Sequence, residues 1–157
     1  MPIPNFKQIN GWLYRGGQPD ALGFAELRRL GIKTIICLRR STEVRSLQRK
    51  EAEAMGFDYI SIPLSYFGYP TDDQVERFFS IVNDPSRQPV FVHCKHGSDR
   101  TGMMIAFYRM TNDGWSVDQA YDEMKSAGFH KLFVYHYKLA VYRYARRRTQ
   151  QDQSTSQ

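Results

Sequence analysis

Val90-Phe-Val-His-Cys-Lys-His-Gly-Ser-Asp-Arg-Thr-Gly102 decides how the rest of this chain is read. Val90 to Val92 is an apolar, β-branched run of the kind that forms a buried strand. A short loop with a glycine at Gly97 follows, and from Thr101 onward the residues take up a helical pattern. Cys94 opens the loop and Arg100 closes it, with five residues between them. At that spacing the backbone curls so that successive N–H groups face inward and form a nest for an anion. The helix that starts near Thr101 adds the positive end of its dipole to the same spot. A planar guanidinium at Arg100 holds two oxygens of a tetrahedral anion in a forked contact. A cysteine under such positive potential is expected as the thiolate, its nucleophilic form. Cradle, clamp and thiolate together imply cleavage of a phosphate ester through a phosphocysteine.

Outward from this stretch, short apolar runs alternate with amphipathic ones. Gly11 to Tyr14 reads as a strand, and Gly16-Gly17-Gln18-Pro19 as a turn. Residues 20 to 30 are a helix with Leu22, Leu27 and Leu30 apolar and Gly31 just past its end. Ile32 to Leu38 is a buried strand. Ser41 can cap a helical stretch that stops at Gly56, and Phe57 to Pro63 is another strand. Thr71 and Gln74 form a T-x-x-Q capping box ahead of a helix carrying Val75, Phe78, Phe79 and Val82. After the loop come an apolar helix over Met103–Met110 and a second capping box at Ser116 and Gln119, whose helix stops at Gly128. The last helix runs from about Lys131 to Arg148. Strands alternating with helices predict an α/β fold, a central, mostly parallel sheet of four to five strands flanked by helices. Such sheets hold ligands at the carboxyl ends of their strands, where this loop falls.

Bulk properties narrow the class. The 157 residues are 41% hydrophobic, enough for one domain with a real core. No apolar run approaches the roughly 20 residues that span a bilayer, and the N-terminal residues lack the pattern of a signal peptide. A cytoplasmic protein is expected, with export open if the chain is a trimmed mature form. Two cysteines, Cys37 and Cys94, are too few for a disulfide scaffold or a structural zinc site, and no metal or cofactor is expected. The net charge of +6 favours anionic partners. Much of it sits in Arg143, Arg146, Arg147 and Arg148, which reads as a solvated helix end. Nucleic acid is not expected as a partner, although Tyr142 and Tyr144 interleave with those arginines.

His93-Cys94-x5-Arg100-Thr101 resembles the signature of the cysteine-dependent protein tyrosine phosphatases, nearest the compact dual-specificity-like bacterial branch. Trp12-Leu-Tyr-Arg-Gly-Gly-Gln-Pro19 is similar to the opening strand of bacterial members of that branch. The resemblance extends over roughly residues 9 to 145. It implies a single phosphatase domain over residues 1–149, and the polar residues 150–157 that follow read as a disordered tail. It also implies a protein tyrosine or dual-specificity phosphatase, with an inositol phosphate or phosphoinositide phosphatase as the alternative. A phospho-binding module without catalysis is the reading from another class, and the intact Cys94 argues against it. The substrate is then a phosphorylated protein or a small anionic phosphate, with a membrane involved only if it is a phosphoinositide.

Within the loop, Cys94 is the expected nucleophile, and Arg100 the group that binds phosphate and stabilises charge in the transition state. Lys95, His96, Gly97, Ser98 and Asp99 complete the phosphate-binding loop, chiefly through backbone N–H groups. By resemblance, Thr101 hydrogen-bonds the cysteine sulfur, and His93 orients the loop rather than acting as a base. The leaving oxygen needs a proton, usually from a carboxylic acid. In the resembling family an aspartate supplies it from a loop some thirty residues before the cysteine. Here that region reads Ser61-Ile-Pro-Leu-Ser-Tyr-Phe-Gly-Tyr-Pro70, with no carboxylate. Asp72 or Asp73 just after it, Asp99 inside the catalytic loop, or water remain as proton donors. The aromatics of Tyr66-Phe-Gly-Tyr69 would wall a phosphotyrosine ring. Cys37 ends the Ile32–Leu38 strand, where a lipid-phosphatase relative holds a cysteine able to cross-link to the nucleophile. A regulatory Cys37–Cys94 disulfide and a plain buried hydrophobe are the two readings.

Overall fold

A computed structural model of the protein describes residues 2–40, 46–130 and 134–156. The sheet is built from β1 (Lys7–Gln8), β2 (Leu13–Gly16), β3 (Thr34–Cys37), β4 (Asp58–Ser61) and β5 (Val90–His93), with the β-branched, apolar runs in β3 and β5. Their order is β1-β2-β5-β3-β4, antiparallel only between β1 and β2. β5 therefore lies in the middle, with His93 level with Gly16 on one side and Cys37 on the other. The strand that leads into Cys94 is thus paired on both sides and buried throughout.

Alternation along the strands splits the core between the two faces of the sheet. Ile35 and Phe91 point to one face and meet α1 (Ala21–Arg29) and α2 (Ser46–Ala54) through Phe24, Leu27 and Ala52. Ile36, Val90 and Val92 point to the other, which carries α3 (Asp72–Val82), α4 (Arg100–Asn112), α5 (Val117–Ser126) and α6 (Tyr135–Thr155). On that side α4 is buried along nearly its whole length, from Arg100 to Tyr108. Both capping boxes form as the sequence predicts, Thr71 with Gln74 and Ser116 with Gln119.

The departures from the sequence reading that matter most are at the first strand, at β1 and at the C-terminus. The first strand of the reading, Gly11 to Tyr14, lies over Leu13–Gly16, where its backbone can pair with β5. β1, with both residues exposed, lacks the apolar alternation that would announce it. At the C-terminus the helix continues to Thr155, so residues 150–155 are helical rather than a disordered tail. Neither Gly nor Pro interrupts them, and Thr149 and Thr155 donate to carbonyls one turn back at 3.1 and 3.0 Å. The proposed Ser41 cap and the expected helix start at Lys131 lie outside the described residues. Among the described residues no helix is long and apolar enough to cross a membrane.

Candidate active site

β5 delivers Cys94 to the carboxyl edge of the sheet, where it is buried and free, as Cys37 is. The chain then bends through Gly97, whose φ of +80° lies in the left-handed region that glycine tolerates. This bend brings the Gly97 N–H onto Cys94 Sγ at 3.3 Å. α4 begins at Arg100, so its first turn faces the same point. A cleft of about 290 Å³ opens above the sulfur. It is lined by Cys94, Lys95, His96, Asp99 and Arg100 from the loop, by Arg40 from beyond β3 and by Tyr66 from the β4–α3 connection. Arg100 is 3% exposed and lies 5.6 Å from the centre of the Tyr66 ring, so an aromatic face covers the clamp.

His93 is fully buried, stacked on Phe91, with its Nδ1 3.1 Å from the Cys94 carbonyl oxygen. Burial pushes its pKa down to about 4, so the ring is neutral at pH 7 and donates from Nδ1 to that carbonyl. A buried neutral ring on the far side of the Cys94 carbonyl fits the orienting place expected of it. Thr101 departs from expectation. Its Oγ1 is buried with no hydrogen-bond partner among the described residues, so it does not donate to the sulfur. The backbone N–H of Gly97 takes that place, because the left-handed bend aims it there.

The three candidate acids separate. Asp99 lines the cleft and is 4% exposed. Both of its carboxylate oxygens accept from His130: Oδ1 from the backbone N–H at 2.9 Å and Oδ2 at 3.0 Å from Nδ1. Asp72 points elsewhere. It lies 3.1 Å from Arg147 Nη1 and lines a second cavity, against α6. Asp73, beside it in the first turn of α3, is exposed and lines neither. The expected aromatic wall divides as well: Tyr66 reaches the cleft, Tyr69 lines the second cavity under Arg143 at 5.5 Å, and Phe67 is in solvent. Cys37 is level with His93 in the sheet, and burial raises its thiol pKa, the behaviour of an inert core cysteine.

Several contributors went unnoticed in the sequence. Arg15 is 1% exposed and donates from Nη2 to the Gly97 carbonyl at 2.6 Å. It shares the buried face of β2 with Leu13, and a charge at an inward strand position is the signal that marks it. Tyr137 donates to the Ser65 carbonyl at 2.6 Å and so ties α6 to the segment that carries Tyr66. Its burial raises the phenol pKa. Arg40 and His130 come from connections between elements, where no periodicity singles out a residue.

Residues 4–138 match the family model described as DSP-PTPase phosphatase fused to NAD+ kinase. The chain belongs to that family. It is a branch of the cysteine-dependent protein tyrosine phosphatase superfamily, with the compact dual-specificity fold. The dual specificity protein phosphatase TpbA of Pseudomonas aeruginosa is 30% identical over 129 residues, which cover 82% of this chain and 56% of the relative. The inositol diphosphatase DSP4 of Arabidopsis thaliana is 26% identical, covering 78% of this chain and 63% of the relative. The chain thus spans little more than half the length of the curated relatives it matches. The crystal structure of P. aeruginosa TpbA in complex with phosphotyrosine superposes with a TM-score of 0.73 at 26% identity, over 87% of this chain and 82% of that one. The catalytic core of the PP-IP phosphatase Siw14 from Saccharomyces cerevisiae shares the fold, with a TM-score of 0.79 at 23% identity over 99% of this chain and 94% of that one.

Proposed function

We propose that this member of the family hydrolyses phosphate monoesters through a phosphocysteine, as a protein tyrosine or dual-specificity phosphatase. The observation that carries the reading is the position of Cys94. Its sulfur sits beneath a cationic cleft, meets a loop amide at 3.3 Å, and shares that cleft with a buried arginine. Sγ attacks phosphorus as the bond to the leaving oxygen breaks, and the Arg100 guanidinium together with loop amides takes up charge on the equatorial oxygens. The leaving oxygen collects a proton. Water then attacks phosphorus, the P–S bond breaks, and inorganic phosphate leaves with the thiolate restored. Lys95, His96, Gly97, Ser98 and Asp99 bind the phosphoryl group along the loop backbone. Of the three aspartates, placement favours Asp99 as the proton donor or water-positioning group. It alone lines the cleft, whereas Asp72 is engaged by Arg147.

Tyr66 beside the clamp, and the phosphotyrosine in the complex of the TpbA relative, support phosphotyrosine as the substrate. A second reading, hydrolysis of an inositol phosphate, rests on the cations that ring the cleft besides Arg100, which are Arg40 and Lys95. A substrate with several phosphates would engage more of them than one phosphotyrosine does. Hydrolysis of a chromogenic aryl phosphate by wild type and by Cys94→Ser tests the central claim. We expect the variant to lose at least about a thousandfold in rate, and full activity in it removes Cys94 from the mechanism. A panel of phosphotyrosine peptide and inositol phosphates then divides the two substrate readings by their kcat/KM.

A further inference from the structure

Three consecutive carbonyls of the catalytic loop are held from outside by one N-terminal segment. The Lys95 carbonyl accepts from the Gln18 backbone N–H at 3.0 Å. The His96 carbonyl accepts from Asn5 Nδ2 at 3.2 Å, and the Gly97 carbonyl from Arg15 Nη2 at 2.6 Å. In a trans peptide the C=O and the N–H of the following residue point in opposite directions. Among the described residues the only cis bond is Gln88–Pro89, so all three loop peptides are trans. Drawing the carbonyls toward residues 5–18 therefore turns the N–H groups of His96, Gly97 and Ser98 the other way, to the side of the cleft. One of the three is seen to arrive: the Gly97 N–H meets Cys94 Sγ at 3.3 Å.

Close packing enforces the arrangement. A Cβ on Gly97 would lie 2.5 Å from the Gly16 carbonyl carbon, and one on Gly17 would lie 2.8 Å from the Lys95 carbonyl oxygen. The two backbones touch with no side chain between them, which is what the paired glycines after Arg15 permit. Asn5 adopts a φ of +52° and also donates to the Ala127 carbonyl at 3.0 Å, so it pins the loop and the end of α5 together.

We propose that Arg15 and Asn5 are positioning residues that, with the Gln18 backbone, shape the phosphate nest by holding its carbonyls outward. Arg15 sets the Gly97–Ser98 peptide, and so aims the Ser98 amide at the bound phosphoryl group. Its guanidinium also places a cation beneath the anion, in a spot with almost no solvent contact. Glu123, close enough for its charge to act on Arg15, is itself held by Arg109 at 2.9 and 3.1 Å. The inference rests on reading the loop as a phosphate site, and it concerns what holds that site open.

The test uses the full chain and inorganic phosphate as the probe. It reads the phosphate concentration that halves the rate of Cys94 alkylation by iodoacetamide, with the modified cysteine mapped by mass spectrometry. Thermal unfolding is followed alongside. Arg15→Met keeps the side-chain volume but removes donor and charge, and we expect the half-protecting concentration to rise about tenfold. Arg15→Lys, which retains one donor and the cation, should recover part of that loss. Asn5→Gly keeps the positive φ and should raise the concentration about threefold. A residue that served only as a strut would lower the melting temperature and leave phosphate protection unchanged. That result, in a folded Arg15→Met, overturns the proposal. If Arg15→Met does not fold, wild-type protection in Asn5→Gly overturns it equally. Wild type that phosphate protects but that hydrolyses no aryl phosphate defeats the catalytic reading and leaves the nest standing. Wild type that phosphate does not protect overturns the positioning proposal, and its hydrolysis of aryl phosphate decides the catalytic reading separately.

Discussion

Two cavities lie on either side of the segment that joins β4 to α3, and their linings look alike. The cleft over Cys94 has Arg100 5.6 Å from the Tyr66 ring, and the cavity against α6 has Arg143 5.5 Å from the Tyr69 ring. Their volumes, about 290 and 250 Å³, hardly differ. What separates them is the origin of the charged groups. Arg100 stands at the buried start of a central helix, behind a strand enclosed on both sides, with loop amides aimed by hydrogen bonds from below. The arginines of the second cavity project from a largely exposed helix, and Arg147 there is paired with an Asp72 that is itself mostly in solvent. Arginine and tyrosine in a concave place are thus a common composition. A preorganised anion site additionally requires buried groups that cannot turn away when the ligand departs.

That contrast can be broken or sharpened by experiment. The largest effect should come from beneath the cleft. His93 has a folded pKa of about 4 against an unfolded value near 6.5. Between those values the unfolded chain binds the extra proton, so stability rises with pH across that window. It is complete above about pH 6.5 and declines as pH falls toward 4, by about 3 kcal/mol in all. His93→Asn, whose amide can still reach the Cys94 carbonyl, should flatten this limb in urea unfolding measured from pH 4 to 7. An unchanged limb would show that His93 is not the group responsible.

Next in size is the comparison of the aspartates. Asp99→Asn should slow phosphotyrosine peptide hydrolysis by about a hundredfold and an aryl ester with a good leaving group far less. Asp72→Asn should leave both rates within about twofold. The reverse pattern would mean that the α3 end swings onto the cleft during turnover. If both variants retain full rates on the peptide, neither Asp99 nor Asp72 is the acid. The smallest effect belongs to Arg147→Ala. An exposed ion pair of this kind contributes about 0–1 kcal/mol, so neither melting temperature nor kcat should move measurably. A clear drop in kcat would turn the second cavity from scenery into part of the enzyme.

Local chemistry made much of this readable. The apolar strand, the cysteine-to-arginine spacing and the capping boxes at Thr71 and Ser116 each depend on neighbours within a few residues, and each appears where the sequence places it. The same box that correctly starts α3 also leaves Asp72 in the first turn, where the helix dipole alone favours an acid. Only the packing of α6 reveals that this carboxylate faces Arg147. Thr101 illustrates the limit from the other side: its place after Arg100 is readable, but only the folded loop shows that its hydroxyl is buried without a partner while the Gly97 amide meets the sulfur.

By itself, then, the chain determined the α/β order, the loop from Cys94 to Arg100 at the end of a buried strand, and the glycines where backbones must turn or touch. These follow from periodicity, residue chemistry and short-range geometry. The tertiary structure decided which carboxylate shares the cleft with Cys94, which tyrosine covers the clamp, and how Arg15 and Asn5 come to hold a loop some 80 to 90 residues away. Those contacts join segments whose nearness is set by the order of strands in the sheet. Strand order depends on burial summed over the whole molecule, which no local pattern encodes.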